Sequence, residues 1–400
     1  MLVAAVWCAN FASAQTWTQT SAPSNYWNSI ASSADGSKLV AAAGPPNGGD
    51  GLIYISTNSG VDWMQTSAPT DSWSSVASSA DGTKLVAAAS GDLIYISTNS
   101  GFAWTATSAP SNSWATVASS ADGSKLVAAA NGDLIYFSTN SGADWMPANT
   151  AVASWEAVAC SADGTKAIAA NGNQVWISKD SGATWTQTDL PSQNWSSVCS
   201  SADGNKFAGV GISTTITFPS GGTISTYGGF GVSTNSGVNW IINTNFNANL
   251  ITSSADGNKL IAGNGGGIYT STDLGMTWIQ ETNISASVSA LSADGNKSAI
   301  VAEVTVTNSL PGGRTITITY PGAIYTSFST PSPSMNITPT NGNFKLSWII
   351  PSTNFVLQQS SDLSTWTDLT NTPVLNLTNL QNEVTLPLSA GNGFYRLKTQ

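Results

Sequence analysis

Short runs of alternating hydrophobic and polar residues recur along most of the chain, about every 40 residues. Within one such unit, Trp73–Ser78 and Lys84–Ala89 have the composition of two β-strands, and Ser79–Gly82 has that of a turn between them. Two shorter strands follow, at Leu93–Ile96 and Trp104–Thr107. No segment of useful length has the period of an amphipathic helix. The pattern therefore predicts an all-β protein built from repeated units of four antiparallel strands.

The turn Ser-Ala-Asp-Gly, here called the SADG turn, joins the first two strands of each unit and occurs seven times. Its glycine permits a left-handed backbone, and its aspartate bonds the backbone of the turn. A period of this length with four strands per unit is typical of a β-propeller. We therefore expect a seven-bladed β-propeller with four-stranded blades over residues 15–330, with six or eight blades as the alternatives. The aspartates of the SADG turns are Asp35, Asp81, Asp122, Asp163, Asp203, Asp256 and Asp294.

A second motif, here called the Ser–Trp turn, lies between the third and fourth strands and reads Ser-x-Asn/Asp-x-Gly-x-x-Trp. It resembles the Asp-box (BNR) repeat of sialidase-like propellers, and the resemblance implies the same fold. Four copies carry asparagine at the aspartate position, and its side-chain oxygen can accept the same backbone hydrogen bonds. The six copies begin at Ser56, Ser97, Ser138, Ser178, Ser233 and Ser271.

The seventh unit has no complete Ser–Trp turn, because neither the glycine nor the tryptophan follows Tyr325–Ser327. The segment Trp17–Pro23 has the sequence of the end of such a unit. We expect this N-terminal strand to supply the missing fourth strand of the last blade and to close the propeller. Residues 331–400 lack the repeat and predict a Pro-rich linker followed by a small β-sandwich, which resembles C-terminal modules of secreted bacterial proteins.

Residues 1–14 are mostly apolar and end in Ala12-Ser13-Ala14, which is typical of a signal peptide cleavage site. We interpret them as the remnant of a secretory signal peptide, the alternative being an N-terminal strand, and we expect a secreted or cell-surface protein. Cys160 and Cys199 would remain in the mature chain. Since residues in a strand alternate between faces, the two side chains point either toward each other or apart. A disulfide between adjacent blades and two buried thiols are both open.

Charged residues make up only 8% of the chain, the formal net charge is −10, and there is no histidine. Nucleic-acid binding and attraction to an anionic membrane surface are therefore disfavoured, since both need clustered Lys or Arg. A Ser-His-Asp triad and a His-ligated zinc site are excluded. We expect no cofactor, no metal, no membrane insertion and a monomer.

The face opposite the SADG turns, here called the loop-rich face, receives every long insertion and is the expected binding face. Five tryptophans, each six residues before a SADG serine, could form a crescent around the channel mouth there and stack on a sugar. The alternative is that each packs between blades, and the insertions are equally consistent with tolerated loops. The candidate ligand-binding residues are Trp27, Trp73, Trp114, Trp155, Trp195, Glu156, Tyr227, Arg314 and Tyr320.

Catalysis is not expected from these residues. Sialidases of the resembling family use an arginine triad, and Arg314 is the only arginine in the propeller region. A glycosidase needs two facing carboxylates, of which Glu156 is the best single candidate. The sequence therefore predicts a secreted, non-catalytic binding or scaffold protein for carbohydrate or a protein partner. The alternative is a glycoside hydrolase that acts on extracellular polysaccharide with carboxylates on the same face.

Overall fold

The computed structural model describes residues 16–44, 51–211, 214–217, 223–226, 228–310, 314–328, 336–340, 343–349, 355–360, 365–369, 373–376, 378, 381–387 and 394–399. The predicted signal peptide, Cys8, Tyr227 and most of the Pro-rich linker lie outside these residues. The described part of the chain is all-β and contains no helix. It accordingly has no helical segment with the length and apolar character needed to span a bilayer.

Each repeat unit contributes its strands in chain order to an antiparallel ladder. The first unit has Trp27–Ser32, Leu39–Ala43, Ile53–Ser56 and Met64–Gln65. The second has Trp73–Ser78, Leu85–Asp92, Ile94–Ser97 and Thr105–Ala106. The third has Asn112–Ser119, Leu126–Asp133, Ile135–Ser138 and Met146–Pro147.

The later units follow the same order with local additions. The fourth has Ala153–Ser154, Ala157–Cys160, Ala167–Ala170, Val175–Ser178 and Thr186–Gln187. The fifth has Trp195–Ser200, Phe207–Gly211, Gly229–Ser233 and Ile241–Asn243, with the separate hairpin Thr214–Thr217 and Thr223–Thr226. The sixth has Leu250–Ser253, Leu260–Asn264, Gly267–Ser271 and Ile279–Thr282.

The predicted set of seven separate four-stranded blades is wrong. Within the described residues, the propeller has five separate four-stranded sheets, and the second and third units form one curled nine-stranded sheet together with Ala153–Ser154 of the fourth unit. The second strands of these two units are eight residues long and end at Asp92 and Asp133, which gives them an edge that the following unit can pair with. Asn112 pairs with Asp92, and Ala153 pairs with Asp133. This pairing between units merges the sheets.

The SADG turns are joined by a cycle of backbone hydrogen bonds around the central channel. Each alanine of the motif donates its N–H to the carbonyl oxygen of the next alanine at 2.7 Å, from Ala34 to Ala80 and onward to Ala293, which donates back to Ala34. All seven glycines of the turns have a positive φ between 59° and 72°, where a side chain would be strained. The turns therefore hold the inner ends of the sheets in a fixed arrangement.

One sheet, here called the seam sheet, combines the two ends of the repeat region. Its strands are Ala286–Leu291, Lys297–Leu310, Arg314–Phe328 and the N-terminal strand Trp17–Gln19. Trp17 pairs with Ser327, and Gln19 pairs with Tyr325, in an antiparallel register.

The C-terminal region consists of two small antiparallel sheets. Leu346, Trp348, Val384 and Leu386 of the first sheet share one buried apolar cluster with Leu357 of the second. The first sheet contains Asn336–Thr340, Asn343–Ile349, Val374–Asn376 and Gln381–Pro387, and the second contains Phe355–Ser360, Thr367–Asp368 and Phe394–Thr399.

Candidate functional site

The loop-rich face is assembled from two kinds of segment, the turn between the second and third strands of a unit and the incoming segment of the next unit. These segments are joined by backbone pairing between units. Gly51 exchanges hydrogen bonds with Asp71, and Gly172 bridges to Trp195. Side chains from adjacent units are therefore brought to one rigid surface.

The five tryptophans of the predicted crescent are buried, so the interpretation of an exposed stacking platform is wrong. None is more than 1% exposed. Trp27, Trp73 and Trp114 each meet a tyrosine of the same unit edge to face, at centroid distances of 5.2–5.4 Å. A bulge directly after the tryptophan in four of the five units shifts the register, and the indole packs between neighbouring sheets instead of facing the channel. Their role is packing, and no indole face is available to a sugar.

Glu156 does reach the loop-rich face. It follows buried Trp155, its backbone N–H donates to the Ala170 carbonyl at 2.9 Å, and its side chain is exposed. Its Oε1 lies 3.0 Å from the position that a Cβ on Gly172 would occupy, so the carboxylate lies against that turn. Partial burial there raises the pKa of Glu156. The side chain is a solvent-reaching acid held by a rigid backbone.

Three further carboxylates, Asp71, Asp92 and Asp133, lie on the same face in the second and third units. Asp133 accepts a hydrogen bond from the Asn112 amide at 2.7 Å and a longer one from the Tyr136 hydroxyl at 3.4 Å. Burial raises the pKa of Tyr95, and the nearby carboxylates of Asp92 and Asp71 raise it further. The carboxylates of Asp71 and Asp92 therefore lie close enough to Tyr95 to disfavour its anion.

The lysines lie on the opposite face. Seven of them follow a SADG glycine by two residues, and they extend over the SADG turn of the next unit. Lys38 donates to the Asp81 carbonyl at 2.9 Å, and Lys206 donates to the Asp256 carbonyl at 2.7 Å. Sequence reasoning missed this arrangement, although the constant spacing SADG-x-Lys was a visible signal. The seven lysines are Lys38, Lys84, Lys125, Lys166, Lys206, Lys259 and Lys297.

Charge is consequently divided between the two faces. The eighth lysine of the described propeller residues, Lys179, lies in a Ser–Trp turn on the lysine face. In this described region no lysine is on the loop-rich face, whereas Asp71, Asp92, Asp133 and Glu156 are. The lysine face is balanced by the SADG aspartates, and the loop-rich face is left acidic.

The disulfide that the sequence left open is not formed, since Cys160 and Cys199 are both free thiols. Cys160 packs against the apolar cluster between the third and fourth units, whereas Cys199 lies in the cluster between the fifth and sixth. The two side chains therefore point apart, which was one of the two arrangements that strand alternation allowed. Burial raises the pKa of both thiols to about 12.

The remaining predicted site residues belong to the long insertions. Arg314 and Tyr320 lie on the strand Arg314–Phe328 of the seam sheet, where Arg314 pairs with Leu310 and Tyr320 with Val304. Their side chains and Tyr227 lie outside what the structure describes, so their ligand role stays a prediction. The described residues bring together no group of three metal-ligating side chains.

The fold is shared with known propeller proteins, although no family model and no curated protein matches the chain. The structure is similar to YCF48 bound to D1 peptide, with a TM-score of 0.55, 14% identity, and coverage of 81% of this chain and 99% of that one. It is also similar to YCF48 from Cyanidioschyzon merolae, with a TM-score of 0.54, 14% identity, and coverage of 78% and 98%. A GH74 xyloglucanase from Xanthomonas campestris matches with a TM-score of 0.52 and 12% identity over 81% of this chain and 51% of that one. At these identities the likeness establishes a β-propeller fold and nothing finer.

Proposed function

We propose that this protein is a secreted, non-catalytic binding module of the Asp-box propeller type, which recognises a protein partner through its loop-rich face. The observation that carries the proposal is the division of charge. Asp71, Asp92, Asp133 and Glu156 lie on a rigid surface with no described lysine beside them. Such a surface attracts and orients a partner that carries Lys or Arg.

A protein partner is favoured over a carbohydrate because the tryptophans that would stack on a sugar are buried. YCF48, a propeller of the same fold, has been solved with a bound peptide. That likeness is one of fold, and it supports the proposal only by showing that such a scaffold can present a peptide-binding surface.

The proposal is tested by fluorescence anisotropy with a labelled hexa-arginine peptide, with hexa-citrulline as the uncharged control ligand. The double variant Asp92→Asn, Asp133→Asn should bind hexa-arginine about fivefold more weakly than the unmodified chain. Its matched control, Asp62→Asn with Asp144→Asn, removes two exposed carboxylates from the opposite face and should change affinity less than about twofold. Equal losses in the two double variants, or no preference for arginine over citrulline, would refute the proposal.

A second candidate, glycoside hydrolysis, is favoured by one observation only, the raised pKa of solvent-reaching Glu156. A carboxyl group of this kind suits a general acid, but it needs a second carboxylate about 5–10 Å away. The chain should release no reducing sugar from xyloglucan or other polysaccharides. If hydrolysis is detected and Glu156→Gln abolishes it, the catalytic alternative replaces the binding proposal.

A further inference from the structure

Three asparagines on the loop-rich face are each followed directly by a glycine. They lie in the turns between the second and third strands of the third, fourth and sixth units, at Asn131-Gly132, Asn171-Gly172 and Asn264-Gly265. In an Asn-Gly sequence the glycine nitrogen can attack the side-chain amide of the asparagine, because glycine has no Cβ to shield that nitrogen. The remaining Asn-Gly sequences of the chain lie outside the described residues. The three pairs therefore have the same chemistry in three different surroundings.

Two of the three asparagine side chains are held in place by hydrogen bonds. The Oδ1 of Asn171 accepts a hydrogen bond from the backbone N–H of Gln174 at 2.9 Å. Asn264 uses both ends of its amide, since its Oδ1 accepts from the Gly266 N–H at 2.8 Å and its Nδ2 donates to the Asn247 carbonyl oxygen at 2.9 Å. Attack by the next nitrogen in the chain requires these bonds to break. Both side chains are therefore protected.

Asn131 lacks this protection. Its side chain is exposed and makes no hydrogen bond to any residue that the structure describes. Gly132 is the extra residue at a register shift between the paired residues Asn131 and Asp133, and it has no partner of its own in the described ladder. Its φ is 80°, and nothing lies within 4 Å of the position that a Cβ would occupy. The attacking nitrogen and the amide that it attacks are therefore both unhindered and open to water.

The turn that contains Asn131 is loosely closed and does not require an asparagine. The Ala130 N–H donates to the Leu134 carbonyl oxygen at a long 3.4 Å. The second unit has the same turn with Ser90 in place of the asparagine. Its glycine, Gly91, also has a positive φ, of 88°, and open space where a Cβ would lie. Serine is therefore compatible with this turn.

We infer that Asn131 is a site of spontaneous deamidation, through which the loop-rich face gains a negative charge after folding. The Gly132 nitrogen gives up its proton to water and bonds to Cγ of Asn131, while Nδ2 takes up a proton and leaves as ammonia. Water then opens the succinimide ring. Attack at Cγ breaks the new bond and gives aspartate, whereas attack at the backbone carbonyl carbon breaks the original peptide bond and gives isoaspartate. The modification does not depend on the proposed function, but its effect on a cationic ligand rests on it.

The test is a time course on the full-length chain in mildly alkaline buffer, followed by trypsin digestion and mass spectrometry. Asn131, Asn171 and Asn264 lie in separate tryptic peptides, so each conversion is measured on its own. In the folded chain Asn131 should convert about tenfold faster than the other two, whose hydrogen bonds must first break. In concentrated urea the three rates should become alike, since only the sequence then matters. Equal rates in the folded chain, or no conversion of Asn131, would overturn the inference.

Two variants separate the modification from its effect on binding. Asn131→Ser, which copies the turn of the second unit, is the matched control and should remove the conversion at this position. Asn131→Asp carries the charge of the product and should bind hexa-arginine about twofold more tightly than Asn131→Ser. If Asn131 converts but Asn131→Asp binds no more tightly, the result counts against the proposed function and the modification stands. If Asn131→Asp binds more tightly but Asn131 does not convert, the inference is overturned and the proposed function stands.

Discussion

The ammonium group of Lys206 lies 2.7 Å from the carbonyl oxygen of Asp256, the aspartate of the next SADG turn. It also donates to the side-chain oxygen of Asn258 at 2.7 Å. Its aliphatic stem lies against Gly257, where a Cβ would come within 2.9 Å of the lysine Cδ. A single side chain thus ties two neighbouring units together by hydrogen bonds and by packing.

Lys206→Met should lower the free energy of unfolding by about 1 kcal/mol, since it keeps the stem and removes the two hydrogen bonds. Lys179→Met, which removes an exposed lysine from a Ser–Trp turn, is the matched control and should change stability by less than about 0.5 kcal/mol. Urea unfolding followed by tryptophan fluorescence measures both. Equal effects would show that the bridge between units contributes nothing specific.

The SADG aspartates predict opposite pH effects at two positions. Burial raises the pKa of Asp81, but hydrogen bonds from Ser79 and Thr83 lower it more, and the folded pKa ends below its ordinary value. The stabilisation by Asp81 is therefore present at neutral pH and is lost as the pH falls through that folded pKa. For Asp294 burial outweighs its hydrogen bonds and raises the pKa, so its contribution is present in acid and is lost as the pH rises through the raised value.

Asp81→Asn should therefore destabilise the protein at pH 7 by about 1 kcal/mol or less, discounted for exposure, and the loss should shrink below about pH 4. At pH 7, Asp294→Asn should lower the free energy of unfolding by less than Asp81→Asn does, because burial disfavours the ionised form of Asp294 in the folded protein. Chemical unfolding at both pH values measures the comparison. A larger loss for Asp294→Asn at neutral pH would contradict it.

The sequence and the structure agree where a motif acts locally and differ where units meet. The SADG glycines and the pairing of Trp17 with Ser327 follow from repeated residues whose chemistry is contained in one turn or one strand. The pairing of Asn112 with Asp92 includes a register shift, which the residue pattern does not predict. The bulge that follows Trp114 is likewise a register shift that the residue pattern does not predict. Strand alternation allowed the side chains of Cys160 and Cys199 to point either toward each other or apart. Only the packing of adjacent sheets determines which arrangement is present.

In the fifth unit the backbone of Gly211 lies so close to the backbone of Asn194 that we expect no larger side chain to be tolerated at this glycine. A Cβ on Gly211 would lie 2.5 Å from the carbonyl oxygen of Asn194, which is main chain and cannot swing aside. Gly211→Ala should therefore destabilise the protein by about 1–3 kcal/mol. Gly265→Ala is the control, because nothing lies within 4 Å of a Cβ there, and it should be neutral or slightly stabilising. Thermal unfolding distinguishes them, and a neutral Gly211→Ala would contradict the packing.

The buried tryptophans predict a stability effect in place of a binding effect. Trp155 is 1% exposed and donates its indole N–H to the Asp133 carbonyl at 3.1 Å. Trp155→Ala should lower the free energy of unfolding by about 3–5 kcal/mol, whereas Trp155→Phe should cost less because the ring volume is mostly kept. Circular dichroism melts measure the loss. If Trp155→Ala had normal stability but had lost binding to a glycan, the result would instead support stacking of Trp155 on a sugar.

Because both cysteines are free thiols, we expect the stability of the protein not to depend on reductant. Because Cys160 and Cys199 pack in different apolar clusters, dithiothreitol should leave the unfolding midpoint unchanged. Since burial raises both pKa values to about 12, the reactive thiolate is scarce at pH 8, and the native chain should react with a thiol reagent far more slowly than the unfolded chain. Thiol titration with and without denaturant measures this. A midpoint that falls on reduction would mean that a bridge forms after all, and it would require the fourth and fifth units to pack differently from the arrangement described.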